Sequence, residues 1–372
     1  MAKNKHIYFV HLLNDNSGSP RVLSDAISSL DHTEYEKTVL TSCHEGFLSN
    51  VQARKVNIRY FVFSNRYLKL FSYLVSQLST FIVLSYYLIC NKLKGEDSIV
   101  LVNTLLPFGA GLSSKLFSNN TIYYIHETMI NPLLLKRFLL FVVDKCADSV
   151  LFVSNYVLEN SAINSPTKKM LYNGLRRDFI LSNGLDLDLG SKFKNRTVLF
   201  VGSLKIYKGI DQFLAVSFLL PHFKFIAAVN CSKEELRIYL KSRVLPTNFE
   251  FMIKPHNLIE IYKQSSLVMN CSIPDDCIET FGLSLLEAMA FGCPVIGPPV
   301  GGPVEIVNSN VGCLIDSRNL SEIVGFISLL HNDFGLWRQY SDNAIEHSKL
   351  FTSKIYQDRF ALFIQDEFYS LV

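Results

Sequence analysis

Charge is scarce in this sequence, and what there is nearly cancels. Asp, Glu, Lys and Arg make up 19% of the 372 residues and leave a formal net charge of +3, with a pI of about 8.3. That balance gives no footing for nucleic-acid binding, which needs a basic stripe, although it is compatible with an anionic membrane surface. No Cys-x2-Cys pair exists among the eight cysteines (Cys43, Cys90, Cys146, Cys231, Cys271, Cys277, Cys293 and Cys313). Several sit in apolar, strand-like runs, so they read as reduced core residues rather than a disulfide frame or a zinc site. No metal-ligand spacing stands in a clear strand-end context, and no metal is expected. Internal repeats and low-complexity segments are also missing. Met1-Ala2-Lys3-Asn4-Lys5 runs straight into the strand-like Ile7-Tyr8-Phe9-Val10, which leaves no room for a signal peptide before it. The one long apolar run, Phe71 to Cys90, is interrupted by Ser72, Ser76, Gln77, Ser79, Thr80 and Ser85. So many polar groups suit a buried or amphipathic helix better than a spanning one.

What is present is a globular composition, 49% hydrophobic, long enough for two domains. Short apolar runs alternate with helical stretches. Strands are expected at Ile7–Leu13, Lys37–Thr41, Ile58–Phe63, Ser98–Asn103, Thr121–His126 and Ser149–Ser154. Helices are expected from about Arg21 to Leu30 and Tyr67 to Lys94. A second series of strands follows at Thr197–Gly202, Lys224–Ala228, Phe249–Ile253, Leu267–Ser272 and Pro294–Gly297. Strand–helix alternation predicts parallel sheets buried on both faces, an α/β class with ligands at the carboxyl ends of the strands. The polar stretch Ser182–Asn195 reads as the hinge. It separates an N-terminal domain, 1–188, from a C-terminal domain, 189–351, with a last helix over 352–372.

The most informative stretch runs from Pro274 to Ile296. It reads as a loop, a short helix starting near Phe281-Gly282 and stopping at Gly292, and a buried strand. Glu279 lies at the mouth of the helix and Glu287 about two turns inside it. Free N–H groups and the helix dipole suit a phosphate, and carboxylates accept hydrogen bonds from hydroxyls. Phosphate beside hydroxyls describes a nucleotide-sugar. A surface helix with two solvated carboxylates is the plainer reading of Glu-x7-Glu alone. With its flanks, Ala288-Met289-Ala290-x-Gly292-x-Pro294-Val295-Ile296 and Gly301-Gly302-Pro303-Val304-Glu305-Ile306, the pattern resembles the donor site of retaining GT-B glycosyltransferases. It is most similar to glycosyltransferase family 4, the glycosyl transferases group 1 proteins.

The resemblance implies two Rossmann-like, doubly wound domains facing a cleft, with the last helix crossing back to the first domain. It places Glu279 near the hydroxyls of the transferred sugar and Glu287 on the ribose diol. Phe281, Gly282 and Leu283 supply donor-binding amides. In Gly202-Ser203-Leu204-Lys205-Ile206-Tyr207-Lys208-Gly209, Lys208-Gly209 matches the family's diphosphate clamp, but Ser203 stands where an arginine is usual; Lys205 is a candidate substitute. The βα turn carrying Gly18 and Ser19 offers backbone N–H groups to diphosphate or acceptor, although any tight turn would use such a glycine. His126 ends a strand and matches a histidine beside the donor sugar; a structural role is the alternative. Asn173-Gly174-Leu175 resembles the turn before the interdomain linker, with Arg176 replacing the common Asp, and reads equally as a simple turn. The segment from Asn131 to Lys145 mixes apolar and basic residues and reads either as membrane-docking or as a core helix with a basic edge.

The resemblance therefore implies an enzyme, a retaining hexosyltransferase-type glycosyltransferase with His126, Glu279 and Lys208 as catalytic candidates. Gly18, Ser19, Gly202, Ser203, Lys205, Phe281, Gly282, Leu283 and Glu287 are the donor-binding candidates. A nucleoside-diphosphate-sugar is expected as donor substrate, with no separate cofactor. The expected acceptor is a glycan or an undecaprenyl-linked oligosaccharide, in bacterial surface polysaccharide synthesis such as O-antigen or capsule. No carboxylate pair is placed as in glycosidases, so no covalent enzyme intermediate is expected. The expected location is cytoplasmic, peripheral on the inner face of the cell membrane. Two other classes stay open: a nucleotide-sugar epimerase of the same architecture, and a catalytically silent binding subunit.

Overall fold

Apolar runs too short for a helix, flanked by turn residues, pair into two parallel sheets. The computed structural model describes residues 5–118, 120–164, 167–176, 179 and 187–371. The chain divides into two units, Met1–Gly174 with Lys354–Val372, and Leu175–Ser353.

The first unit alternates β1 (Lys5–Val10), α1 (Gly18–Ser28), β2 (Tyr35–Ser42), β3 (Arg54–Ile58), α2 (Arg66–Lys94), β4 (Asp97–Asn103) and α3 (Phe108–Phe117). It continues with β5 (Asn120–Ile125), α4 (Leu133–Cys146), β6 (Ser149–Phe152), α5 (Asn155–Asn160) and β7 (Thr167–Met170). The strands form one seven-stranded sheet in the order β3-β2-β1-β4-β5-β6-β7, all parallel. Right-handed crossovers put α2, α3 and α4, which all step toward β7, on one face of this sheet and α1 on the other. Tyr8, Phe9, Tyr123, Tyr124 and Phe152 are fully buried in the core.

The second unit runs α6 (Leu189–Asn195), β8 (Thr197–Ser203), α7 (Ile210–Leu219), β9 (Lys224–Asn230), α8 (Lys233–Leu240), β10 (Phe249–Ile253), α9 (Leu258–Gln264) and β11 (Leu267–Met269). Then come α10 (Leu283–Ala290), β12 (Val295–Gly297), α11 (Pro303–Ile306), β13 (Gly312–Leu314), α12 (Leu320–Asn332) and α13 (Phe334–Ser348). Its sheet is six-stranded and parallel, β10-β9-β8-β11-β12-β13. Phe200, Phe213, Phe225 and Trp337 fill the core. The indole N–H of Trp337 donates to the Ser266 carbonyl at 2.9 Å, so the largest buried ring leaves no polar atom unpaired.

The final helix, α14 (Ser353–Tyr369), lies in the first unit. Its Glu367 carboxylate accepts from Asn120 Nδ2 and, at 2.8 Å, from Ser149 Oγ. The Tyr356 hydroxyl donates to the Val22 carbonyl of α1 at 3.4 Å.

Three sequence expectations change. The strand expected at Ile58–Phe63 is instead Arg54–Ile58, and Phe61, Val62 and Phe63 are exposed. β3 is an edge strand, so it tolerates charged residues, whereas the apolar run that mimicked a strand lies on the surface. β7 and β13 escaped the sequence because one is polar (Thr167-Lys168-Lys169-Met170) and the other only three residues long. Of the hinge read at Ser182–Asn195, residues 182–186 lie outside the described residues, while Leu189–Asn195 is helix, capped by Asp188 and holding the buried Lys192. The structural division falls earlier, between Gly174 and Leu175.

Candidate active site

In the second unit the site grows from three loops at strand carboxyl ends. After β8, Ser203 and Lys205 lead into a tight turn, where the Lys205 N–H donates to the Ser203 carbonyl and the Lys208 N–H to the Lys205 carbonyl. The turn ends at Gly209, whose φ is +76°; a Cβ there would lie 1.9 Å from the Cys271 carbonyl oxygen. Glycine is therefore what lets the Lys208 turn press against the loop after β11. That loop carries Asn270 and then Glu279. Gly301, at φ +87°, lies so close that a Cβ would sit 2.2 Å from the Glu279 carbonyl oxygen, and the neighbouring Gly302 N–H donates to that carbonyl at 2.9 Å. The two glycines of Gly301-Gly302-Pro303 thus fix the backbone that presents Glu279.

Lys208 and Glu279, 71 positions apart, meet at 3.0 Å, Nζ to Oε2, with side chains 26% and 20% exposed. Asn270 Nδ2 donates to the same oxygen at 3.3 Å. The Glu279 charge holds the Lys208 ammonium well above the usual lysine range, against the opposing effect of burial. For Glu279, burial pushes the carboxyl up, but the Lys208 charge and hydrogen bonds from Lys208, Asn270 and the Gly282 N–H together hold it below the usual range. The site is a preformed ion pair in which both partners are charged across the neutral range.

Gly282 is the N-cap of α10, so the amides of the first turn, Leu283 among them, lie within a few residues of this pair. Glu287 lies on the buried side of α10, 6% exposed, and its Oε2 accepts from the Tyr262 hydroxyl at 3.0 Å. At the other end of α10, the buried Lys192 Nζ donates to the Tyr262 carbonyl at 2.9 Å and to the Phe291 carbonyl, and lies 3.2 Å from Cys293 Sγ. These bonds anchor α10 against α9 and α6, while burial pushes Lys192 below the usual lysine range. Lys205 does not join Lys208; its half-exposed ammonium lies 3.5 Å from Glu235. Gly202 and Ser203 pair with Val229 and Asn230 along β9, so their contribution is confined to the strand end.

In the first unit a separate cluster forms at the ends of β1, β4 and β5. His126 Nε2 donates to Asn103 Oδ1 at 2.8 Å, and Asn103 Nδ2 donates to the Ser19 carbonyl at 3.2 Å and to His11 Nδ1 at 3.0 Å. The structure thus connects His126 to the Gly18-Ser19 turn through Asn103. Burial pushes His126 down to about 3, with help from the neighbouring His11, and pushes His11 down to about 4. Both rings are neutral at pH 7. Glu127 accepts from the Leu105 N–H at 3.2 Å and the His126 N–H at 3.1 Å, yet burial still pushes its carboxyl up to about 7.

Sequence reasoning missed Asn270, Tyr262, Asn103, His11 and Glu127. Asn270, Asn103 and His11 each fall within one residue of a strand's carboxyl end, a position rule that could have singled them out. Tyr262, one helix residue among many, carried no such signal. Among the described residues no cluster of three or more His, Cys, Asp or Glu side chains is placed to hold a metal ion.

Residues 188–347 match the family model of glycosyl transferases group 1. An uncharacterized glycosyltransferase of Methanocaldococcus jannaschii is 29% identical over 239 residues, 60% of this chain and 57% of that protein. Sucrose-phosphate synthase of Zea mays is 33% identical over 103 residues, 27% of this chain. The chain spans only 57% and 10% of the lengths of these two relatives. Among solved structures, Anabaena HepE in complex with UDP-glucose superposes with a TM-score of 0.79 at 17% identity, covering 97% of this chain and 99% of that one. The fold is the GT-B fold of glycosyltransferases.

Proposed function

We propose that this chain is a glycosyltransferase that moves a sugar from a nucleoside-diphosphate-sugar to a hydroxyl, with retention at the anomeric carbon, as in glycosyltransferase family 4. The observation that carries the reading is the Lys208–Glu279 pair at 3.0 Å beside the N-cap of α10, inside the 188–347 segment that matches glycosyl transferases group 1. Cation and helix amides suit the diphosphate, and the two carboxylates suit sugar and ribose hydroxyls. HepE has been crystallised with UDP and with UDP-glucose, so a uridine diphosphate sugar is the first donor to test.

In this reading Lys208 exchanges part of its contact with Glu279 for the diphosphate, and the positive charge meets the negative charge that grows on the leaving group. Glu279 turns to the hydroxyls of the transferred sugar. Glu287, held by Tyr262, takes the ribose diol. With no second carboxylate assigned across the scissile bond, the departing phosphate oxygen takes the acceptor's proton as the glycosidic bond breaks and the new one forms. Charge stabilisation here comes from side chains and amides, and the reading needs no metal. The acceptor proposed is a glycan or lipid-linked oligosaccharide of a bacterial surface polysaccharide.

The test is a panel of nucleotide-sugars incubated with oligosaccharide and lipid-linked acceptors, scored for acceptor-dependent release of nucleoside diphosphate. The anomeric configuration of the product is read by NMR. Isomerisation of a free nucleotide-sugar without acceptor would replace this reading with an epimerase. Tight nucleotide-sugar binding with no turnover would replace it with a binding subunit.

A further inference from the structure

Helix α2 buries Tyr73, Leu84 and Leu88 together with an unusual number of polar side chains. Its face toward the first unit carries Ser76, Gln77, Thr80 and Asn91, all buried, and these are satisfied within the protein. The Thr80 hydroxyl donates to the Ser76 carbonyl, Gln77 Oε1 accepts from the Gly109 N–H at 3.0 Å, and Asn91 Nδ2 donates to the Tyr8 hydroxyl at 2.9 Å. Its outward face is apolar: Phe71, Leu74, Leu78, Ile82, Tyr86 and Ile89 are 40–68% exposed and recur every three or four residues along one stripe. A helix at a protein–water boundary carries polar and charged residues on its exposed face instead. A continuous apolar face of this length marks a surface that meets another phase or partner.

The charges indicate which. From residue 46 to residue 95 the chain has no Asp or Glu, yet it carries Arg54, Lys55, Arg59, Arg66, Lys69, Lys92 and Lys94. Arg66 and Lys69 stand at one end of the stripe and Lys92 and Lys94 at the other, all exposed. A two-fold contact between copies through α2 would set cation against cation with no carboxylate from this segment to neutralise them. An anionic lipid surface satisfies both features, acyl boundary for the stripe and headgroups for the flanking cations. The right-handed crossovers place α4 on the same face of the sheet, where Leu134, Phe138 and Phe141 are exposed beside Arg137.

We propose that the outward face of α2, extended by α4, seats the first unit on an anionic membrane, with the helix lying in the interface. The 29 residues are long and apolar enough to span a bilayer, but spanning would strip Ser76, Gln77 and Thr80 from the partners they have in the fold. The helix therefore lies along the surface and keeps its polar face on the protein. This surface is independent of the nucleotide-sugar reading.

Flotation of the full chain with vesicles of phosphatidylcholine, alone or mixed with phosphatidylglycerol, tests it. Wild type should float with the anionic vesicles, at least about tenfold more than with neutral ones, and high salt should release part of it. Leu74→Asp/Leu78→Asp should lower anionic-vesicle binding at least about tenfold with an unchanged thermal midpoint, because both side chains are already exposed. Lys92→Glu/Lys94→Glu should remove most of the preference for anionic lipid. Equal flotation of wild type and Leu74→Asp/Leu78→Asp would overturn the proposal. So would a lipid-free dimer that Leu74→Asp/Leu78→Asp converts to monomer, or protease protection of α2 from one side of a sealed vesicle.

Discussion

Removing the Lys208 ammonium by Lys208→Ala separates two consequences of the same pair. The first is stability. The Glu279 carboxylate keeps Asn270 and the Gly282 N–H but loses a cation 3.0 Å away, with both side chains about three-quarters buried or more. Breaking a fully buried ion pair costs about 3–5 kcal/mol; the residual exposure of this one brings the expectation to roughly 1–3 kcal/mol. Glu279 is held below its ordinary value near 4.5, so its contribution is present above that pH and lost as pH falls through the lower folded value. Lys208 is held above 10.5, so its contribution is present below that pH and lost only as pH rises through the higher folded value. The stability difference between wild type and Lys208→Ala should therefore be flat between these limits and shrink in acid. The second consequence, in the proposed transfer reaction, is catalytic. Charge on the diphosphate grows as the glycosidic bond breaks, and loss of one preorganised donor costs about 10²–10³ in the chemical step. Thermal or urea unfolding across pH measures the first effect, and single-turnover transfer from a competent donor measures the second. A folded Lys208→Ala enzyme with wild-type turnover would refute the assignment and move attention to Lys205. Ser203→Arg in the Lys208→Ala background should restore part of the rate if the clamp geometry implied by the resemblance holds here.

Other outcomes follow from the same geometry. Glu287→Ala should weaken nucleotide binding by roughly 1–3 kcal/mol, because the ribose hydroxyls lose their carboxylate acceptor, while Glu287→Gln should lose less; calorimetric titration separates them. Glu127 is raised to about 7 from near 4.5, so the folded protein binds the extra proton between these values and stability should fall as pH rises through that window. Glu127→Gln should flatten this slope in urea titrations, and an unchanged slope would mean another group is responsible. Transfer activity should survive excess EDTA; loss on chelation, restored by Mg²⁺ or Mn²⁺, would show the phosphate site has been misread. Gly301→Ala should be among the most damaging single methyl additions, since φ is +87° and the new Cβ would meet the Glu279 carbonyl at 2.2 Å; a wild-type melting temperature would contradict that.

Much of the alternation was legible because buried parallel strands are nearly pure apolar runs, as in Ile7-Tyr8-Phe9-Val10 and Thr197-Val198-Leu199-Phe200-Val201. The Pro274–Ile296 pattern located α10, whose 283–290 span agrees with a start near Phe281-Gly282 and a stop at Gly292. Long-range pairing was not legible. Nothing local states that Lys208 and Glu279 approach within 3.0 Å, or that Asn103 joins His126 to Ser19. The polarity of α2 was read correctly as composition and incompletely as geometry. Ser72, Ser76, Gln77, Thr80 and Ser85 do face inward, beside Tyr73, Leu84 and Leu88, while Phe71, Leu74, Leu78, Ile82 and Tyr86 lie outside, and composition alone does not carry that division. At β3 the aromatic run Phe61-Val62-Phe63 outweighed the polar edge strand beside it for the same reason: hydrophobicity reports burial on average, not the phase on the other side of the surface.

The central claim is that the second unit binds a nucleoside diphosphate between the Lys208 turn and the N-terminus of α10. Calorimetric titration of a nucleoside diphosphate into wild type, Lys208→Ala and Glu287→Ala tests it most directly. The account predicts saturable one-site binding to wild type, weakened at least about tenfold in each variant, Lys208→Ala through the phosphates and Glu287→Ala through the ribose. Equal affinity in all three proteins, or no binding of any nucleoside diphosphate to wild type, would contradict it.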